Sequence, residues 1–409
     1  MKVLIIICGM FTLLAIALLI STNRRAINYR TVIGAFALQA LIAGLVLFVP
    51  AGQQILLNIS NSVSSVIEYS SQGIEFMFGE LGRFKLGFIF AFHVLPVMVF
   101  FSSLIAVLYY LGIMQKVVFF IGSGLKKLLK TSTAESMAAT SNIFVGNSDV
   151  FILMRPYAPR MTHSELFALM TGGLASVAGA VLVGYASMGI EIKYLLAAAF
   201  MSAPGGLLMA KLIYPETEKA DDNMSVSQEA SEDKPVNVIE AAATGASNGM
   251  SLAMNVGAML LAMIALIAMM NGLLGWSLAL IGIEGVTFEL IFSYIFAPFA
   301  YLLGVPTNEI LQAGNLIGQK VVLNEFIAYV SFVDIKDSLS EHSQIVITIA
   351  LAGFANLSAP AALIGVLGTI VPEKKKFIAQ MGLKVIAAGL LSNLMSAALA
   401  ALFFTISNY

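Results

Sequence analysis

The sequence predicts an all-α integral membrane protein, with eight transmembrane helices, two re-entrant hairpins in an inverted repeat, and helices lying at the membrane interface. Three observations predict it. Apolar residues make up 59% of the 409-residue chain, charged residues 11%, and mean hydropathy is +0.91. A water-soluble surface needs about 25% charged residues, so lipid is the solvent for most of this chain. Apolar runs of about 20 residues, the length of helix that crosses a bilayer core, recur along it. Two further apolar stretches, one in each half, are interrupted near their middles by polar residues. The 22 Lys+Arg are balanced by 23 Asp+Glu, which leaves no charge surplus to attract a nucleic acid. A lone cysteine, Cys8, excludes a disulfide framework and a thiolate metal site.

The elements follow in order. Residues 3–20 form a long apolar run with no small-x-small cleavage site after it, and Arg24, Arg25 and Arg30 lie just beyond. They read as a first membrane helix entering the cytoplasm rather than a cleaved leader. The remaining full-length spans are 31–50, 86–112, 164–190, 193–213, 251–281, 343–371 and 377–406. Residues 115–130 carry Lys126, Lys127 and Lys130 among Leu and Phe, as a helix on the cytoplasmic surface does. Residues 133–158 are broken by Gly146-Asn147-Ser148-Asp149, and 306–333 by Asn324-Glu325; neither half of either stretch is long enough to cross. Residues 214–237 form the one hydrophilic linker, with the composition of a disordered segment. Residues 238–250 read as a second surface helix, and 287–304, with Pro298 inside, as lying along the outer surface.

Orientation follows from the basic residues. With the N-terminus outside and both interrupted stretches returning to the face they left, fifteen of the 22 lysines and arginines fall in cytoplasmic loops and five outside. A full crossing by either stretch would erase that bias, so both are read as re-entrant. The order helix, surface helix, broken hairpin, Gly-rich helix, helix then occurs twice with opposite entry. The expected organisation is scaffold helices at 1–85, a first repeat at 86–213 (hairpin 133–158, broken helix 164–190), a cytoplasmic linker and surface helix at 214–250, and a second repeat at 251–409 (hairpin 306–333, broken helix 343–371). Inverted halves with matched interrupted segments point to a secondary transporter with its site at the midplane.

Asp149 and Glu325 are the acidic residues in the middle of these apolar stretches. A carboxylate at membrane depth costs a few kcal/mol and is a functional candidate by default, against a hairpin tip that snorkels to water or a structural tie to Lys320. The run Phe354-Ala355-Asn356-Leu357-Ser358-Ala359-Pro360 interrupts the helix at 343–371, where Pro360 is expected to free carbonyls near Phe354–Asn356. Asn356 both donates and accepts, which suits a vicinal diol or an amide-like base. In the first half, Asn142 at the hairpin tip and Ser176 in the Gly-rich helix offer neutral oxygen ligands for sodium. His93 among Phe and Val reads as a packing residue.

Six motifs, in order, make the chain resemble the concentrative nucleoside transporter family of bacterial type over essentially its whole length. They are Ser141-Asn142-Ile143-Phe144-Val145-Gly146, Gly172-Gly173-Leu174-Ala175-Ser176, Ala203-Pro204-Gly205-Gly206, Asn324-Glu325-Phe326-Ile327-Ala328-Tyr329, Gly353-Phe354-Ala355-Asn356-Leu357-Ser358 and Leu391-Ser392-Asn393-Leu394-Met395. The resemblance implies a non-enzymatic, sodium-coupled nucleoside symporter. It implies a homotrimer that works by an elevator-like movement in the bacterial inner membrane, where the orientation read from the basic residues puts both termini on the periplasmic side. It assigns the ribose hydroxyls to Glu325 and Asn356, with Phe354 beside the sugar and base. It assigns sodium to Asn142, Val145, Ser176 and Val177, the last two mostly through backbone oxygen, with no other cofactor.

Two departures stand out. Where the family usually has glycine–glutamine–threonine–glutamate at the first hairpin tip, this chain has Gly146-Asn147-Ser148-Asp149, and the base-reading side chains lose about 1.5 Å of reach at two positions. Ala359 stands where the family usually places a serine that contacts the sugar, and one such bond is worth about 1 kcal/mol. These motivate the alternative of a proton-coupled carrier, or one of altered specificity, for a related small polar solute such as a nucleobase or modified nucleoside. An intramembrane hydrolase using Asp149 and Glu325 as acid and base would need both carboxylates at one water pocket; a channel has no need of matched broken segments.

Overall fold

A computed structural model describes residues 1–83, 87–220 and 235–407, and every regular element among them is helical. The first half runs α1 (Lys2–Leu19), α2 (Tyr29–Leu47), α3 (Pro50–Phe78), α4 (Phe90–His93), α5 (Leu95–Tyr110), α6 (Ile113–Leu129), α7 (Thr133–Ser141), α8 (Asn147–Leu153), α9 (His163–Ala175), α10 (Gly179–Ser187) and α11 (Ile192–Ile213). The second runs α12 (Val238–Ala279), α13 (Phe288–Leu302), α14 (Ile310–Val322), α15 (Glu325–Ile335), α16 (Glu341–Leu351), α17 (Ala359–Ile370) and α18 (Lys375–Ser407). Seven helical segments among the described residues are long and apolar enough to cross a membrane. The eighth expected span, 343–371, is split into α16 and α17, of 11 and 12 residues.

Three features differ from the sequence reading. The surface helix expected at 238–250 and the span expected at 251–281 are one continuous helix, α12, of 42 residues. At 1.5 Å per residue it is about 63 Å long, twice a bilayer core. No proline or left-handed residue interrupts it among the described backbone, and α5 packs along it, so nothing ends the helix at residue 250. Second, α3 is a 29-residue helix that hydropathy did not mark as a separate element. Its Val63, Val66, Ile67 and Ile74 recur at helical spacing among Ser, Asn and Gln and meet Val97 and Phe101 of α5. One apolar stripe satisfies packing without raising the average hydropathy. Third, Pro360 does not kink a running helix. It lies in the first turn of α17, where the missing N–H costs nothing, and the break at 352–358 precedes it.

The enclosed elements are the ones that position the site. Of the most apolar window, 94% is buried in α9–α10 and 89% in α11, against 17% in α12 and 28% in α1. α11 and α18 pack on each other, and both touch α9 and α16. The two interrupted stretches fold as α7–α8 and α14–α15, with arms of 9, 7, 13 and 11 residues. None of these arms reaches about 30 Å.

Each hairpin is fastened at its root to the broken helix that follows it. Ser132 and Glu135 form a capping box that starts α7, and Thr162 and Glu165 another that starts α9. Lys211 pairs with Glu135 and donates to Ser164 Oγ at 2.8 Å. Counted by sequence among the loop cations, Lys211 is in fact buried, because α11 ends between these two helix starts. In the second half Glu309 accepts from the Ser340 N–H at 3.2 Å and from its Oγ at 2.8 Å, joining the root of α14 to that of α16. The linker residues 221–234 lie outside the described residues.

Candidate functional site

Glu325 is the first residue of α15, and Asn324 caps that helix by accepting from the Ile327 N–H at 2.9 Å. The carboxylate therefore sits at a helix N-terminus, where backbone dipoles favour negative charge. Two side chains from different elements hold it. Asn356 Nδ2 donates to one oxygen at 3.2 Å, and the Tyr185 hydroxyl donates to the other at 3.3 Å. Asn356 stands in the unwound run between α16 and α17, and its Oδ1 accepts from the N–H groups of Ser358 and Ala359, both at 3.1 Å. Its two ends thus serve different partners: the carbonyl oxygen starts α17, and the amide nitrogen faces the carboxylate. Hairpin and break are joined through the backbone as well, by Leu357 N–H to the Val321 carbonyl at 2.9 Å.

Aromatic rings wall this pair. Tyr185 lies 4.7 Å from Phe326 and 4.3 Å from Tyr329, centroid to centroid, and Phe90 meets Phe326 edge-on. Glu325 and Asn356 are both buried, Phe354 is half-buried, and Ala359 is buried without a hydroxyl to add. A carboxylate and an amide at one dry position, flanked by rings, can accept from and donate to adjacent hydroxyls of a small ligand. Lys320 makes no direct ion pair with Glu325: its ammonium donates to the Ala350 carbonyl and to Asn393 instead.

The first-half group is of a different kind. Asn142 ends α7, Val145 lies in the turn that follows, and Ser176 and Val177 occupy the break between α9 and α10. Asn142 Oδ1 and Nδ2, Ser176 Oγ and Thr171 Oγ1 are buried with no hydrogen-bond partner. Buried polar atoms without partners cost about 1–3 kcal/mol each, so unpartnered atoms at the end of α7 and in and just after α9 fit a bound species that satisfies them. Neutral oxygens beside an unwound backbone fit a hard monovalent cation. Gly172 permits the close approach: a Cβ there would stand 2.7 Å from Asn142 Nδ2. The tip and the break are joined by Gly179 N–H to the Phe144 carbonyl at 3.2 Å.

Of the sequence-derived candidates, Glu325 and Asn356 meet directly, and Asn142 lies beside α9 at Gly172, four residues before Ser176. Asn147 opens α8, but the side chains of Asn147 and Ser148 lie outside the described residues. Asp149 follows them in the first turn of α8 and is exposed. Sequence reasoning did not single out Tyr185. A lone tyrosine in a helix of Gly, Ala and Val was the available signal, since a buried phenol needs a partner for its hydroxyl.

Three family descriptions match the chain: "Na+ dependent nucleoside transporter N-terminus" over residues 8–81, "Nucleoside recognition" over 91–191, and "Na+ dependent nucleoside transporter C-terminus" over 194–401. The chain is 46% identical to the nucleoside permease NupC of Helicobacter pylori, over 97% of each chain. It is 36% identical to human solute carrier family 28 member 3, over 96% of this chain and 58% of that one. Among solved structures it is similar to CNTnw in an inward-facing substrate-bound state, with TM-score 0.95 and 49% identity over 100% of this chain and 99% of the other. A CNTnw variant in an outward-facing state matches with TM-score 0.94 at 49% identity, over the same shares of the two chains.

Proposed function

This chain belongs to the Na+-dependent nucleoside transporter family, and on that premise we propose that it takes up nucleosides by sodium symport with elevator-like alternating access. Its family consists of permeases rather than enzymes. The observation that carries the proposal is the Glu325–Asn356 pair, held at 3.2 Å where the tip of α14–α15 meets the break between α16 and α17. A vicinal diol donates to the carboxylate through one hydroxyl and exchanges bonds with the amide through the other. Phe354 adds an apolar face beside them, and the absence of a hydroxyl at Ala359 weakens sugar recognition by about 1 kcal/mol. The proposal assigns recognition of the base to Asn147, Ser148 and Asp149, with reach shorter by one methylene at two positions.

In this proposal sodium takes Asn142, Val145, Ser176 and Val177, the last two mostly through backbone oxygen, and the buried polar atoms of Asn142 and Ser176 without partners support that assignment. One inward positive charge adds about 2.3 kcal/mol per 100 mV, or roughly fiftyfold accumulation. The arms of α7–α8 and α14–α15 are too short to cross, which supports re-entrant hairpins in two inverted repeats, 86–213 and 251–409. The root contacts of Lys211 and Glu309 tie the start of each interrupted stretch to the start of the broken helix that follows, which supports their moving together in an elevator movement. The proposed setting is the bacterial inner membrane, as a homotrimer with periplasmic termini.

The test is uptake of a nucleoside and nucleobase panel into proteoliposomes, with and without a sodium gradient. Nucleoside uptake that collapses without the gradient is expected. Uptake driven equally by a proton gradient, or restricted to nucleobases, would favour the alternative carrier.

A further inference from the structure

Two polar side chains sit where the ends of both broken helices converge. The Lys320 ammonium of α14 donates to the Ala350 carbonyl, one residue before the end of α16, and to Asn393 Oδ1 of α18, each at 2.7 Å. Asn393 Nδ2 in turn donates to the carbonyl of Ala175, the last residue of α9, at 2.6 Å. Lys320 exposes none of its surface and Asn393 3%. A single bridge therefore joins the C-terminal carbonyls of one broken helix to those of the other. Gly353 presses against it with φ +151°, and a Cβ there would stand 2.4 Å from Asn393 Oδ1, so only glycine fits.

The chemistry of the two ends differs. The last carbonyls of a helix carry partial negative charge and have no partner within the helix. At the end of α16 that charge is met by a built-in ammonium. At the end of α9 it is met by the neutral amide of Asn393, and the neighbouring Ser176 and Asn142 retain polar atoms without partners. A full charge inside an apolar assembly is expensive, and a neutral donor would satisfy one carbonyl as well. Lys320 also leaves α14 five residues before Glu325, and the carbonyl it clamps lies six residues before Asn356.

We propose that Asn393 and Lys320 are positioning residues that couple the two sites, transmitting cation occupancy beside Ser176 to Glu325 and Asn356. The proposal rests on the sodium and nucleoside assignments above. A cation that orders Ser176 fixes the carbonyl of Ala175 just before it. That carbonyl orients the Asn393 amide, the amide oxygen orients the Lys320 ammonium, and Lys320 holds both the hairpin arm that ends at Glu325 and the helix end that leads to Asn356. Ordering one break thereby orders the other. By linkage, nucleoside binding tightens the cation site by the same factor.

Asn393→Asp tests this with one atom changed. The carboxylate still accepts from Lys320 but has no N–H for Ala175, so one arm of the bridge is cut. Uridine binding to the purified full-length protein is measured by calorimetry with and without saturating sodium, alongside thermal melting. In the parent chain sodium is expected to raise uridine affinity by a factor in the usual coupling range of about 5–150. In Asn393→Asp the sodium-free affinity stays within about threefold of the parent, while the enhancement by sodium falls to within about twofold of unity. Should that variant not fold, Asn393→Ala removes both arms without adding charge, and the same loss is expected. A variant that melts earlier and binds more weakly yet keeps the full sodium enhancement overturns the proposal, because the bridge is then only structural. A parent chain whose uridine affinity ignores sodium refutes the sodium assignment itself, and the bridge with it.

Discussion

Replacing Tyr185 with Phe removes one oxygen atom and leaves the ring in place. The ring packs against Phe326 and Tyr329, so core contacts are kept. What is lost is the hydroxyl that donates to Glu325 at 3.3 Å, one of the two side-chain donors holding that buried carboxylate. A hydrogen bond to a charged group is worth about 1.5–3 kcal/mol, and the length of this one, 3.3 Å, places it at or below the lower end, about 1–2 kcal/mol. If Glu325 holds the sugar, the carboxylate in Tyr185→Phe keeps Asn356 as its remaining side-chain donor among the described residues, and the ligand must do more of the orienting. The expected loss is about 5- to 30-fold in nucleoside affinity. Calorimetric titration of the parent and variant with uridine in saturating sodium measures it, and a melting curve checks the fold. Equal or tighter binding in a variant that melts like the parent would show that Tyr185 is a packing residue whose hydroxyl does not orient the carboxylate.

Glu325→Gln and Asn356→Ala should each abolish nucleoside uptake into proteoliposomes while the protein still elutes as a folded oligomer; uptake preserved in both would remove the assigned site. Asn147→Gln combined with Asp149→Glu restores about 1.5 Å of reach at two positions and should shift uptake toward ordinary uridine-like nucleosides. An unchanged substrate profile contradicts the assignment of that tip to the base. Gly172→Ala places a Cβ 2.7 Å from Asn142 Nδ2. Displacing that ligand should raise the sodium concentration for half-maximal uptake about fivefold, the equivalent of about 1 kcal/mol, and a sodium requirement equal to the parent's would argue against Asn142 as a ligand. At the foot of α11, burial alone would raise the Glu218 carboxyl, but hydrogen bonds from the His163 ring and backbone N–H, and the nearby charges, outweigh it and hold its pKa below the usual carboxylate value. A depressed acid stabilises the folded contact above its unfolded pKa and loses that contribution as pH falls through the folded one. Hydrogen exchange in 214–218, corrected for intrinsic rate, should therefore accelerate as pH falls below about 4.5, with Glu218→Gln already fast above it; identical profiles for the two proteins would exclude this contact as the cause.

Hydropathy reads the solvent, and here the solvent is lipid, so the all-helical architecture and most spans are legible from local composition. The interruptions at Asn147–Asp149, Asn324–Glu325 and Phe354–Pro360 are legible for the same reason, since polar residues in an apolar run must be accounted for where they stand. Average hydropathy cannot see α3, because its apolar stripe is diluted by the serines and asparagines of the opposite face. Nor can it see that α12 continues past residue 250, because packing along α5, not composition, carries that helix through.

Glu325 and Asn356 could be named from one chain because each is polar in apolar surroundings. Their partners could not. Tyr185 reaches Glu325 across 140 residues and Asn393 reaches Ala175 across 218, and neither tyrosine nor asparagine announces a partner that distant. Lys211 counted as a loop cation until α11 placed it between Glu135 and Ser164. Local order of polarity is written along the chain, because every residue meets lipid or water on its own account. Which buried donor meets which buried acceptor is settled only when the helices pack, because the cost of an unpaired polar group in a dry interior depends on what stands within 3 Å of it.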